Sequence, residues 1–230
     1  MTSFFLYVRS IKEVVCVNDC DRLITKLWEC KIMKLAESQT LKNLARAFAS
    51  ECQARTRYEF VEYGFRYNGY EAIATLIDKI AYQEFNHARM LYTKIQEADP
   101  KQVTNIVVDA GFPFKEKWDM EENLKLLAED EADEAKAYTK FIETAMEEGF
   151  DDIAKLFKEI KTVELRHKEI FMEIYKQFKG KKLYKKSQKT QWVCPACGYV
   201  GEGKEAWEQC PLCEAKQGVC YVSLPDGYLV

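Results

Sequence analysis

The chain repeats itself at a spacing of 80 residues, and this repeat limits its possible folds more than any other feature. EFNHAR at residues 84–89 returns as ELRHKE at 164–169, so Glu84 and His87 are matched by Glu164 and His167. The same offset carries Leu44 to Leu124, Glu51 to Glu131, Tyr58 to Tyr138, Gly69 to Gly149 and Ile73 to Ile153. The chain of 230 residues has 2 histidines, and each stands three places after a glutamate. Two copies of one unit, rich in Ala, Leu, Glu and Lys, predict two like pairs of helices.

The apolar residues repeat with helical period. Ile73, Leu76, Ile77, Ile80, Glu84, His87 and Leu91 form one stripe, and Ile153, Leu156, Phe157, Ile160, Glu164, His167, Phe171 and Ile174 form another. Breaks at Asn68-Gly69, from Asp99-Pro100 through Pro113, and at Gly149 leave four helices, expected at 38–67, 70–98, 119–147 and 150–178. Two links are short, and the middle one is long enough to run the length of a bundle.

Residues i and i+3 share a helix face, so each Glu-x-x-His offers one oxygen and one nitrogen to the same place. Glu51 lies about as far before the Asn68-Gly69 turn as Glu84 lies after it, and Glu131 and Glu164 are placed likewise about Gly149. At ~1.5 Å of rise per residue, all four glutamates and both histidines meet at one level. Four buried carboxylates need compensation, which two divalent cations supply. Two Glu plus two Glu-x-x-His on four helices is the di-iron or di-manganese carboxylate pattern. Tyr58 and Tyr138 lie on the faces of Glu51 and Glu131, either to donate hydrogen bonds to the carboxylates or to fill core.

A second metal pattern follows. CPACGYVGEGKEAWEQCPLC at 194–213 places Cys194, Cys197, Cys210 and Cys213 as two CxxC knuckles. That is a tetrahedral thiolate set, and its spacing suits zinc or a single iron. The CPxCGY and CPLC knuckles, with Trp192 and Tyr199 beside them, resemble rubredoxin and so favour iron.

The remaining composition narrows the class. With a net charge of −3 there is no basic field for nucleic acid, and no apolar run approaches the ~20 residues of a membrane span. The N-terminal run Phe4–Val8 is too short for a secretory signal, so a cytoplasmic protein with reduced cysteines is expected. The expected domains are an N-terminal extension at 1–35, the helical bundle at 36–180, a basic linker at 181–191, and the cysteine module with its tail at 192–230. KGKKLYKKSQK in the linker reads as a solvated hinge, or as a docking strip for an acidic electron donor. The extension reads as dispensable, or as a partner-binding helix; its Cys16, Cys20 and Cys30 have no matching ligand set.

NLARAFASECQARTRYEF, EFNHAR, DEADEAKAY and VELRHKEIF, with both cysteine knuckles, make the chain similar to rubrerythrins over about residues 36–220. The resemblance implies a mainly α fold: a ferritin-like four-helix bundle with a small C-terminal rubredoxin-like domain. It implies two non-haem irons held by Glu51, Glu84, His87, Glu131, Glu164 and His167, and one iron held by the four cysteines. It adds Glu134 as a further ligand three residues after Glu131; the offset places Ala54 opposite, and the bland alternative is a solvated surface glutamate. The activity it implies is reduction of hydrogen peroxide to water in defence against oxidative stress. A rubredoxin or an NAD(P)H-dependent reductase is the implied electron donor, and a homodimer or larger homo-oligomer the implied assembly. A ferritin-like iron-oxidising or storage protein, with a cysteine module that only binds partners, is the rival reading. Trp207 in place of a usual proline, and the tail CYVSLPDGYLV, depart from the family pattern and bear on docking.

Overall fold

The computed structural model describes residues 33–221 and Leu224. The N-terminal extension to residue 32 and most of the tail, with the readings made for them, lie outside the described residues.

Four long helices carry the fold: α1 (Gln39–Tyr67), α2 (Glu71–Gln96), α3 (Met120–Glu147) and α4 (Asp151–Lys179). These are the four expected helices, shifted by one or two residues at their ends. Ser38 caps α1 by accepting from the Leu41 N–H, and Asp119 caps α3 by accepting from the Glu122 N–H. α1 pairs with α2 and α3 with α4, and the two hairpins meet chiefly through α1 and α3.

The repeat persists at the turns. The Tyr70 N–H donates to the Phe65 carbonyl at 2.9 Å, and the Phe150 N–H to the Ala145 carbonyl at 2.8 Å. Gly69 and Gly149 sit at φ 82° and 85°, the left-handed conformation that closes such a turn without a Cβ clash. Between the hairpins, residues 97–119 form the crossover, with no helix or strand of their own. Arg57 Nη1 pins this crossover, 2.8 Å from both Glu116 and Asp130 and 3.3 Å from the Pro113 carbonyl.

The core falls into two apolar layers. One holds Tyr58, Phe65, Ile73, Ile77, Leu124, Leu127 and Phe171; the other holds Leu44, Leu91, Tyr138, Ala145, Ile153 and Phe157. Residues related by the 80-residue offset fall in opposite layers: Tyr58 and Tyr138, Ile73 and Ile153, Leu44 and Leu124, Leu91 and Phe171. The halves are therefore related by a pseudo-two-fold axis across the bundle, and the glutamates and histidines lie between the layers.

The basic segment differs from the solvated hinge expected for it. From Lys185 onward it is a strand, β1 (Lys185–Val193), paired antiparallel with β2 (Val200–Glu205). Little of β1 is buried besides Trp192, so no apolar alternation announced it. The strand is set by its partner across the first cysteine knuckle, and exposed lysines guard its edge. Tyr184 packs against both the bundle core and the small cluster of Trp192, Ala206 and Cys220. A Cβ added to Gly218 would collide with the Gly69 carbonyl, so the module's backbone lies directly against the α1–α2 turn.

Candidate metal centres

Each helix delivers its ligands from mid-length. Glu51, Glu84, Glu131 and Glu164 are fully buried, and His87 and His167 nearly so. Their donor atoms fall into two groups: Glu51, Glu84, His87 and Glu164 in one, and Glu84, Glu131, Glu164 and His167 in the other. Glu84 and Glu164 belong to both. The Glu-x-x-His glutamates therefore stand between two positions, while Glu51 and Glu131 each serve one.

The donors point inward. His87 Nδ1 lies 3.0, 3.1 and 3.4 Å from oxygens of Glu164, Glu84 and Glu51. His167 Nδ1 lies 2.9, 3.1 and 3.6 Å from oxygens of Glu84, Glu164 and Glu131. Without a cation these charges act on one another. Burial pushes the carboxyls of Glu51 and Glu131 well above the ordinary range, and neighbouring carboxylates add to it. Burial works against the charged imidazoles, yet the surrounding carboxylates hold His87 and His167 well above the usual histidine range. Burial would also raise Glu84, but His167 and His87 hold it low.

Glu131 Oε2 is buried without a partner, and Glu51 Oε2, Glu84 Oε1 and Glu164 Oε1 have only an imidazole Nδ1 beside them, at 3.4, 2.9 and 3.0 Å. Two imidazoles cannot answer so many buried carboxylate oxygens, and two cations at this layer would satisfy all four. Oxygen-rich donors with one imidazole each suit iron or manganese. The opposite oxygens of Glu51 and Glu131 are spoken for. Tyr58 Oη donates to Glu131 Oε1 at 2.7 Å, and Tyr138 Oη donates to Glu51 Oε1. Each tyrosine reaches across to the other half, which decides between the two roles open for them in the sequence.

Glu134 joins neither donor group. Its Oε1 accepts from Ser50 Oγ at 3.0 Å, and its Oε2 is buried without a partner. Burial, then the charges of Glu164 and Glu84, raise its carboxyl to about 8. Sequence reasoning missed Gln83, whose Oε1 lies 2.7 Å from His167 Nε2 and fixes that ring. Its mate at the 80-residue offset is Val163, so the repeat gave no signal of it.

The four cysteines also converge. Cys194 and Cys213 sulfurs are 3.7 Å apart and those of Cys197 and Cys210 3.6 Å. A tetrahedral site with metal–sulfur bonds of ~2.3 Å has sulfur–sulfur edges of ~3.8 Å. In each knuckle the residue four places after the first cysteine turns to positive φ, Gly198 at 77° and Glu214 at 62°. At Cys210 burial works against the thiolate, but the N–H groups of Cys213 and Leu212 bring its thiol down to about 7.

Fold and sites together define a di-iron carboxylate protein with an added four-cysteine iron site. A family model described as rubrerythrin matches residues 42–175, and one described as the rubrerythrin rubredoxin-like domain matches residues 192–218. A rubrerythrin of Clostridium perfringens is 36% identical over 180 residues, covering 78% of this chain and 91% of its own length. A nigerythrin of Nitratidesulfovibrio vulgaris is 30% identical, with 78% and 84% covered. A solved mixed-valence nigerythrin superposes with a TM-score of 0.52 at 28% identity, over 82% of this chain and 90% of that one. A bacterioferritin of Desulfovibrio desulfuricans, 23% identical over 62% of this chain and 81% of its own, shares the fold at a TM-score of 0.52. The chain belongs to the rubrerythrin family.

Proposed function

We propose that the protein reduces hydrogen peroxide to water, H2O2 + 2 H+ + 2 e− → 2 H2O, as a non-haem di-iron peroxidase of the cytoplasm. What carries this reading is the presence, in one chain, of a buried two-metal layer and a separate four-thiolate site suited to one-electron traffic. Glu51, Glu84, His87, Glu131, Glu164 and His167 would hold two irons, and Cys194, Cys197, Cys210 and Cys213 a third. When bound, the ferrous pair supplies both electrons for O–O cleavage and stabilises the developing hydroxide charge. Glu134 stands beside the layer with its carboxyl raised by burial, so it can hold a proton and hand it to a departing oxygen. Ser50 keeps that carboxyl oriented, and the apolar layers on either side exclude bulk water.

Cys213 is exposed and Cys197 half-buried, which brings the edge of the thiolate site within reach of a rubredoxin or a reductase. Within one chain the module lies against the α1–α2 turn, and Glu84 is about 20 Å along α2 from its first residue. We infer that electrons pass instead from the cysteine site to the bundle of a neighbouring chain in a homodimer or larger assembly.

The test is anaerobic reduction followed by one equivalent of peroxide, with the absorption of both iron sites followed separately. Consumption of about one peroxide per ferrous pair, then bleaching and recovery of the four-cysteine band with a protein donor, is expected. Slow peroxide use, with iron accumulating well beyond about three atoms per chain, would overturn the reading in favour of iron storage.

A further inference from the structure

The two metal positions match in their ligands and differ behind them. Each draws on three glutamates and one histidine, and each imidazole turns Nδ1 toward the layer. The second ring nitrogens are not alike. His167 Nε2 lies 2.7 Å from Gln83 Oε1. Among the described residues, none bonds His87 through Nε2; its contacts are all made by Nδ1. The pseudo-two-fold axis places Val163 of α4 toward His87 as Gln83 of α2 stands toward His167, and an isopropyl group accepts no hydrogen bond.

The Gln83 contact fixes a proton. A neutral imidazole has one N–H and one lone pair. With the Nδ1 lone pair turned to the layer, the N–H is on Nε2, and the Gln83 carbonyl oxygen is its acceptor. His167 is thereby held in the ligating tautomer and at one ring angle, and the acceptor makes its Nδ1 the better donor to a metal. No group of the chain does the same for His87. We propose that Gln83 is a positioning residue that makes the two irons unequal: the iron on the His167 side is held more tightly, and the iron on the His87 side is the exchangeable one. This rests on the two-iron reading of the layer and not on the peroxide chemistry. Loss of such an outer partner costs a metal site about 10–100-fold in affinity, so the two irons should differ by at least about tenfold.

The test is anaerobic chelator competition on the full-length, fully iron-loaded ferrous protein. Mössbauer spectra separate oxygen-ligated from thiolate-ligated iron and count what stays in the bundle. Two release steps are expected, at least about tenfold apart in chelator concentration. Gln83→Leu should weaken the tighter step by about tenfold or more and merge the two. Gln83→Glu, with a charged acceptor, should strengthen that step. Val163→Gln, which offers His87 the missing acceptor, should strengthen the weaker step by about tenfold. Proton NMR of the ferrous protein in water reports the hydrogen bond itself. One slowly exchanging, paramagnetically shifted imidazole N–H is expected, lost in Gln83→Leu and joined by a second in Val163→Gln. A single release step in the unsubstituted protein overturns the proposal. So does a tighter step, or an N–H signal, that Gln83→Leu leaves unchanged. Peroxide turnover enters neither measurement, so this inequality can fail while the proposed function stands.

Discussion

Two tyrosine hydroxyls decide how the ligand carboxylates are aimed. Tyr58 and Tyr138 each hold one oxygen of Glu131 or Glu51 and leave the other facing the metal layer. Tyr58→Phe should keep the fold and weaken metal retention at the Glu131 side by about tenfold, measured by chelator competition. Protons compete for the same oxygens. In the metal-free protein, Glu134 is raised from 4.5 to about 8, chiefly by burial. A raised carboxyl holds its proton in the folded state after the unfolded chain has lost it. Its stabilising contribution is therefore full below pH ~4.5 and lost as pH climbs through ~8. Glu51, Glu131 and the two raised histidines act with the same sign. Metal-free protein should thus lose stability from about pH 5 to 8, by about 1.4 kcal/mol per pH unit for each proton held in excess. Metal-loaded protein should lack this slope and should release protons on loading, as melting curves and unbuffered titration will show. The glutamates and histidines of the layer were legible because a three-residue spacing on an apolar helix face has few other uses. Gln83 and Ser50 were not, since a lone polar residue beside a ligand looks like any half-buried helix position.

The two hairpin turns repeat as closely as the ligands do. Both hairpins close on a glycine at positive φ, and nothing lies within 4 Å of the Cβ that alanine would add at either. The cost of Gly69→Ala or Gly149→Ala is therefore backbone strain alone, about 1 kcal/mol each. Each should lower the melting temperature by about 2–4 °C, equally, and the pair should add, since the turns share no partners. Glu148 makes the second turn more than a link: its carboxylate accepts from the Gln39 and Thr40 N–H groups and the Thr40 hydroxyl. The end of α3 thereby caps the start of α1. All four helices could be drawn from the sequence because period, glycine and proline agreed. β1 could not, because its order comes from pairing with β2 and from Trp192 reaching the Gly203 carbonyl. Neither leaves an apolar period in a run of lysines.

Across the whole molecule the proposed function divides the labour between the two metal sites, and substitutions should separate them. Cys210→Ser removes one thiolate yet leaves the bundle intact. The pre-reduced variant should still consume about one peroxide per ferrous pair in a single turnover. Its steady-state rate with a protein donor should fall by more than about tenfold. His87→Ala should do the reverse, with normal bleaching of the four-cysteine band and slow peroxide loss in stopped flow. Full turnover by Cys210→Ser would show that electrons enter elsewhere. The pseudo-two-fold axis through the ligand layer has a consequence of its own. An assembly of two identical hairpins could only place every residue there twice. Because both halves share one chain, each position can diverge alone, and this has happened beside the metals as elsewhere: Ser50 stands opposite Asp130, Ala54 opposite Glu134, Gln83 opposite Val163. The two cations occupy like cages with unlike surroundings, so each is a separate address that heredity, or an experimenter, can alter without touching the other.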